Sequence, residues 1–141
     1  MLNKTKIFLL LFIMNAPLAM ECKTVDIEYR FNKNKIEEKL PVCFKDTSFI
    51  SNNCKDNNCH AINVLKEPID KTDLFSFVGS PLFEVCRRLG GEPKLFDIKL
   101  NKDFESSAYC LFKKDSSFVS LDYFNEYLEE GKKDISLAGQ Q

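Results

Sequence analysis

The sequence predicts an α+β fold: N-terminal β-hairpins followed by a helix-strand-strand-(strand)-helix unit, the whole stapled by three disulfides. Three observations lead there. The chain opens its mature part with an unbroken polar–apolar alternation, carries a fully punctuated helix in its middle, and places six cysteines behind an export signal.

The export signal comes first. Met1 to Lys6 holds two lysines and no acid, residues 7–14 read Ile-Phe-Leu-Leu-Leu-Phe-Ile-Met, and Asn15-Ala16-Pro17-Leu18-Ala19 adds a helix breaker and small residues. A basic start, a short apolar core and a small-residue exit make a secretory signal peptide. The apolar run is far shorter than the roughly 20 residues that span a bilayer. Residues 1–20 are therefore assigned as signal peptide, cleaved after Ala19 or Met20, and the expected location is periplasmic or secreted. Glu21 stands where a lipoprotein signal wants a small residue, which argues against lipidation at Cys22.

Removal of the two lysines with the signal leaves 18 basic residues against 21 acidic, a net charge of −3. That balance offers no footprint for nucleic acid and none for an anionic membrane surface. No further membrane span follows the signal. Cys22, Cys43, Cys54, Cys59, Cys86 and Cys110 all lie beyond it. An even number in a short exported chain implies three bridges.

Residues 21–66 read as hairpins. Thr24 to Phe31 alternates without a fault, turning Val25, Ile27, Tyr29 and Phe31 inward. Asn32-Lys33-Asn34 is a turn, and Lys35 to Phe44 a weaker strand that Pro41 demotes to an edge. Folding at Lys33 sets Val25 opposite Leu40, Tyr29 opposite Ile36, Asp26 opposite Lys39, and Cys22 opposite Cys43. The apolar register thus supplies a disulfide pair. Thr47 to Ile50 and Ala61 to Leu65 read as a second strand pair, closed by an Asn- and Asp-rich loop whose tip is flanked by Cys54 and Cys59. Residues 67–78 are the candidate linker, and neither an internal repeat nor a low-complexity tract stands out.

Residues 79–131 form the α+β unit. Ser80 caps a helix with Pro81 at its first position and Glu84 at its positive end; Arg87 and Arg88 fill its last turn, and Gly90-Gly91 stops it. Leu95 to Leu100 and Ala108 to Phe112 are strands, Phe118-Val119 a short third one. Ser120 caps a final helix reaching about Glu130, and residues 132–141 are a flexible tail. Cys110 on its strand and Cys86 on the apolar helix stripe meet when the helix packs on the sheet. The expected connectivity is Cys22–Cys43, Cys54–Cys59 and Cys86–Cys110.

Pro81, Cys86, the Gly90-Gly91 pair, Tyr109-Cys110, and Asp115 through Ser117 before an aromatic segment form a pattern. In it, residues 79 to about 128 resemble a short cysteine-containing domain of exported bacterial proteins that carries a haemolysin label and is otherwise of unknown function. Ser80, Ser116 and Tyr123-Phe124 depart from the family's asparagine, glycine and tryptophan. The resemblance implies a bacterial envelope or secreted protein. The label itself finds no amphipathic or spanning segment to support it.

Candidate chemistry is sparse. Cys54-x4-Cys59-His60 has the residue types of c-type haem attachment, but with four intervening residues instead of two and no second histidine or mature methionine as ligand. A zinc site from the same trio lacks a fourth ligand. A plain disulfide is the simpler reading. One histidine leaves little scope for nucleophilic catalysis, and Glu37-Glu38 and Glu129-Glu130 are adjacent acids on solvated faces. Phe75, Phe77, Phe83, Tyr123 and Tyr127 exceed what two helices and a small sheet need. Core filling accounts for most of them; Phe75, Phe77, Tyr123 and Tyr127, if exposed together, would mark a protein-binding patch.

These features favour a non-enzymatic binding or structural module of the cell envelope, without a cofactor, acting through an envelope or secreted protein. A small periplasmic enzyme, or a haem or metal carrier at Cys54, Cys59 and His60, is the alternative. The sequence leaves the oligomeric state open.

Overall fold

A computed structural model of the chain describes residues 20–75, 79–125 and 128. Among them, six antiparallel strands close into a barrel in the order β1-β2-β3-β6-β5-β4. The strands are β1 (Glu21–Phe31), β2 (Asn34–Lys45), β3 (Ser48–Ser51), β4 (Glu92–Lys99), β5 (Phe104–Phe112) and β6 (Ser117–Ser120). Helices α1 (His60–Val64) and α2 (Pro81–Arg88), with 3-10 turns at Asn52–Cys54 and Leu121–Phe124, complete the described elements.

The expected α+β class is therefore corrected to a closed β-barrel. Strands from both sides of residues 67–78 belong to one sheet, because β1 pairs with β4 and β3 with β6. Alternation reveals which face of a strand is buried, not which strand lies beside it. The closing pairs were outside what local pattern can specify.

The first hairpin has Asn32 and Lys33 both at positive φ, a two-residue turn whose twist suits the strands. Its register sets Cys22 opposite Cys43, Asp26 opposite Lys39 and Tyr29 opposite Ile36. Val25 and Ile27 are buried. Phe31, expected to face inward, is 62% exposed. Past Glu28 the strand keeps β2 as its ladder partner but loses β4, so the hairpin end projects beyond the barrel. Pro41 falls just before β2 gains β3 as a neighbour at Val42, in a stretch flanked by β1 alone.

The expected strand at Ala61–Leu65 is instead helix α1. Its first backbone donors are met from outside: His60 N–H by Asp115 Oδ2 at 2.8 Å, and Ala61 N–H by Ser117 Oγ at 2.9 Å. Ile62 N–H reaches Cys59 Sγ at 3.4 Å. Five residues are too few to show a helical period, but these acceptors satisfy a helix start.

Helix α2 begins at Pro81 as expected, with Ser80 accepting through its carbonyl while its side chain makes no capping bond. Gly90 takes φ +86° and Gly91 N–H returns to the Cys86 carbonyl, a helix stop that needs glycine. A Cβ on Gly91 would lie 2.2 Å from Cys110 Sγ, so the disulfide beside it requires glycine as well. The final helix is described as the turn Leu121–Phe124. Of its continuation Asn125 and Leu128 are described, both helical; its other residues, the tail, residues 1–19 of the expected signal and 76–78 of the expected linker lie outside the described residues.

The strand order reads the same from both ends, and the strands of the two halves correspond in their pairing registers. Lys45-Asp46-Thr47-Ser48-Phe49-Ile50-Ser51 and Lys114-Asp115-Ser116-Ser117-Phe118-Val119-Ser120 are two versions of one segment, a repeat not expected from the sequence reading. Cys43 opposite Ile50 corresponds to Cys110 opposite Val119. Carried through the hairpins, Asp26 corresponds to Asp97 and Ile27 to Ile98. Both joins then pair equivalent residues, Ile27 with Ile98 and Ile50 with Val119. The side chains obey the same relation: Phe49 N–H donates to Ser120 Oγ and Phe118 N–H to Ser51 Oγ, each at 3.0 Å.

Inside the barrel, Val25, Ile27, Val42, Phe49, Phe96, Ile98 and Phe118 form one apolar cluster. Outside it, Ile50, Val64, Leu74, Val85, Phe112, Val119 and Phe124 form a second beneath the helices, with five of the six cysteines. Disulfides join Cys22 to Cys43, Cys54 to Cys59 and Cys86 to Cys110, with no free cysteine. Each bridge stays within one half, so the halves meet through strand pairing and packing.

Candidate binding crevice

The ladder between β1 and β4 covers Ile27 with Ile98 and Glu28 with Asp97. Past it the strands part and leave a crevice of about 450 Å³, lined by Glu28, Tyr29, Arg30, Leu95, Phe96 and Asp97 among others. Phe96 is buried and meets Tyr109 edge-on, with ring centres 5.0 Å apart, in the aromatic packing that continues to Phe118 and Phe49. That packing gives the crevice an apolar floor. Leu95, alternating outward from Phe96, is 68% exposed at its rim.

Several polar groups around the crevice are engaged with neighbouring side chains. Tyr29 Oη donates to Glu38 Oε1 at 2.8 Å. Lys35 Nζ lies 2.6 Å from Glu28 and 3.1 Å from Glu37, and Ser106 Oγ donates to Asp97 at 2.6 Å. The hydrogen bond to Glu38, chiefly, pushes the Tyr29 phenol up from its ordinary value. Burial does the same for Tyr109, reinforced by the charges of Tyr29, Glu38 and Glu92. Both phenols are therefore neutral hydroxyls at neutral pH. No imidazole or thiol lines the crevice, and the Ser106–Asp97 pair lacks a base strong enough to ionise a serine. The arrangement offers contact surface, with Glu28 and Asp97 as its carboxylates.

Those residues singled out from sequence that the structure describes lie elsewhere. Cys54 and Cys59 are bonded to each other, and the His60 ring meets Phe112 edge-on at 5.6 Å. Among the described residues, no group of three or more His, Cys, Asp or Glu is placed to hold a metal ion. Phe75 is exposed, whereas Tyr123 and Phe83 pack against the outer apolar cluster; Phe77 and Tyr127 fall outside the described residues. The crevice itself was not found from sequence. Its rim signal, Leu95 out of phase with Phe96 and Ile98, reads locally as an ordinary outward position.

Comparison with protein-family models, with curated proteins and with solved structures finds no match to this chain. Among the described residues, no helix is long and apolar enough to cross a membrane. Three disulfides fit an oxidising compartment, extracellular or periplasmic.

Proposed function

We propose that this chain is an exported, disulfide-stapled barrel that serves as a non-enzymatic binding module of the cell envelope, with the crevice between β1 and β4 as its recognition site. The observation that carries the reading is the pairing of an apolar floor and rim, Phe96 and Leu95, with polar neighbours of which Tyr29, Lys35 and Asp97 are held by other side chains. Phe31, directly after Arg30 at the end of β1, adds a second large exposed side chain to the same end of the hairpin. Exposed apolar residues beside a crevice mark interaction sites. The signal-like N-terminus, the bridges and the resemblance over residues 79 to 128 support export in bacteria.

The test is affinity capture from periplasmic extract and culture medium with the wild-type protein and with Leu95→Arg. A specific partner held by the wild type and lost by the variant, at unchanged thermal stability, is expected. A partner held equally by both would place recognition elsewhere.

A further inference from the structure

The internal correspondence of the two halves allows their free strand edges to be compared position by position. β2 gains β3 as a neighbour at Val42, and β5 gains β6 at the equivalent Tyr109. Before those points each strand has a ladder partner on one side alone among the described residues. The edge on β2 reads Glu37-Glu38-Lys39-Leu40-Pro41, and the matching edge on β5 reads Phe104-Glu105-Ser106-Ser107-Ala108. Lysine and proline are the usual guards of an open edge. β2 has both at Lys39 and Pro41; β5 has serine and alanine there. Phe104 is 40% exposed at the start of this unguarded edge, and Leu100 is exposed just before it.

We propose that β5 is the dimerisation strand, two copies of the chain pairing antiparallel through Phe104–Ala108 about a twofold axis at Ser106. This edge borders the recognition crevice, which Ser106 and Ser107 also line, but the pairing does not rest on that reading. The charges favour this occupant: about that axis Glu105 faces the partner's Ser107 and Phe104 faces the partner's Ala108, so no like charges oppose. The same register on β2 would set Lys39 against the partner's Lys39 and give Pro41 no N–H to donate. An isologous edge needs this self-complementarity.

The experiment is sedimentation velocity of the mature protein over a concentration series, with Ser106→Lys and Ser106→Cys as variants. Ser106→Lys puts a like-charge pair on the axis. It also copies the Lys39–Asp26 pair of the other half onto Asp97, which now accepts from Ser106, so the fold is expected to hold, as circular dichroism reports. A concentration-dependent dimer in the wild type, reduced at least tenfold in association constant by Ser106→Lys, supports the proposal. Ser106→Cys adds the one free thiol to a chain without any; it should oxidise to a covalent dimer much faster than the matched Lys39→Cys. A wild type that stays monomeric throughout, or equal oxidation of the two cysteine variants, overturns it.

Discussion

Ile27 and Ile98 face each other across the short ladder that closes β1 onto β4, and each holds the same position in its own half of the barrel. Both are almost fully buried in the interior cluster. Truncating either to alanine removes volume from the join itself, at an expected cost of about 2–5 kcal/mol. Urea unfolding of Ile27→Ala, Ile98→Ala and the double variant measures this. Because the two touch, the double variant should lose less than the sum of the single losses.

The opposite join relies on two serines. Ser120 Oγ accepts from Phe49 N–H and Ser51 Oγ from Phe118 N–H, and Ser120 in turn donates to Asp122. Ser51→Ala and Ser120→Ala each leave a buried amide without its acceptor, which costs about 1–3 kcal/mol. Thermal unfolding should show similar losses for the two variants, as their equivalent places require.

Gly91 sits against the Cys86–Cys110 bridge, where an added Cβ would meet Cys110 Sγ. Gly91→Ala is expected to lower the melting temperature more than Gly79→Ala, since a Cβ at Gly79 meets nothing nearby, although Gly79 has a positive φ and Gly91 does not. The bridge itself is worth about 3 kcal/mol in the chain-entropy model. Calorimetry of the two glycine variants, with thiol titration under denaturing conditions, separates backbone strain from loss of the bridge.

Asp115 ties helix α1 to the turn between β5 and β6. Burial pushes its carboxyl up, but hydrogen bonds from His60 N–H and from the Ser117 hydroxyl and N–H outweigh that and hold it below the ordinary aspartate value. A lowered folded-state pKa gives stability that is complete above the ordinary aspartate range and lost as pH falls through the lowered value. The wild type should therefore lose stability below about pH 4, and Asp115→Asn should flatten that limb. Melting temperatures from pH 2 to 7 show the difference. At neutral pH, Asp115→Ala should cost about 1 kcal/mol through the lost helix start.

The first hairpin was legible because alternation and turn chemistry act over neighbouring residues: the register that buries Val25 and Ile27 also opposes Cys22 to Cys43 and Asp26 to Lys39, and the structure has these pairs. Helix α2 was legible from Pro81, Arg87, Arg88 and Gly90 for the same reason. Closure was not, since Ile27 with Ile98 and Ile50 with Val119 are chosen by packing between distant segments. Helix α1 was missed because its N-terminal acceptors come from Asp115 and Ser117, far along the chain. The crevice was missed because it is a gap where β1 and β4 part, a property of neither strand alone. The repeated Lys-Asp-(Thr/Ser)-Ser-Phe-(Ile/Val)-Ser segment was the one sequence signal that pointed to the symmetric barrel.

Cross-strand nuclear Overhauser contacts in the oxidised protein test that barrel most directly. The closed arrangement predicts backbone proton contacts between Ile27 and Ile98 and between Ile50 and Val119 in the same sample. Hairpin contacts such as Val25 to Leu40 without either closing pair would contradict it and return the two halves to separate units.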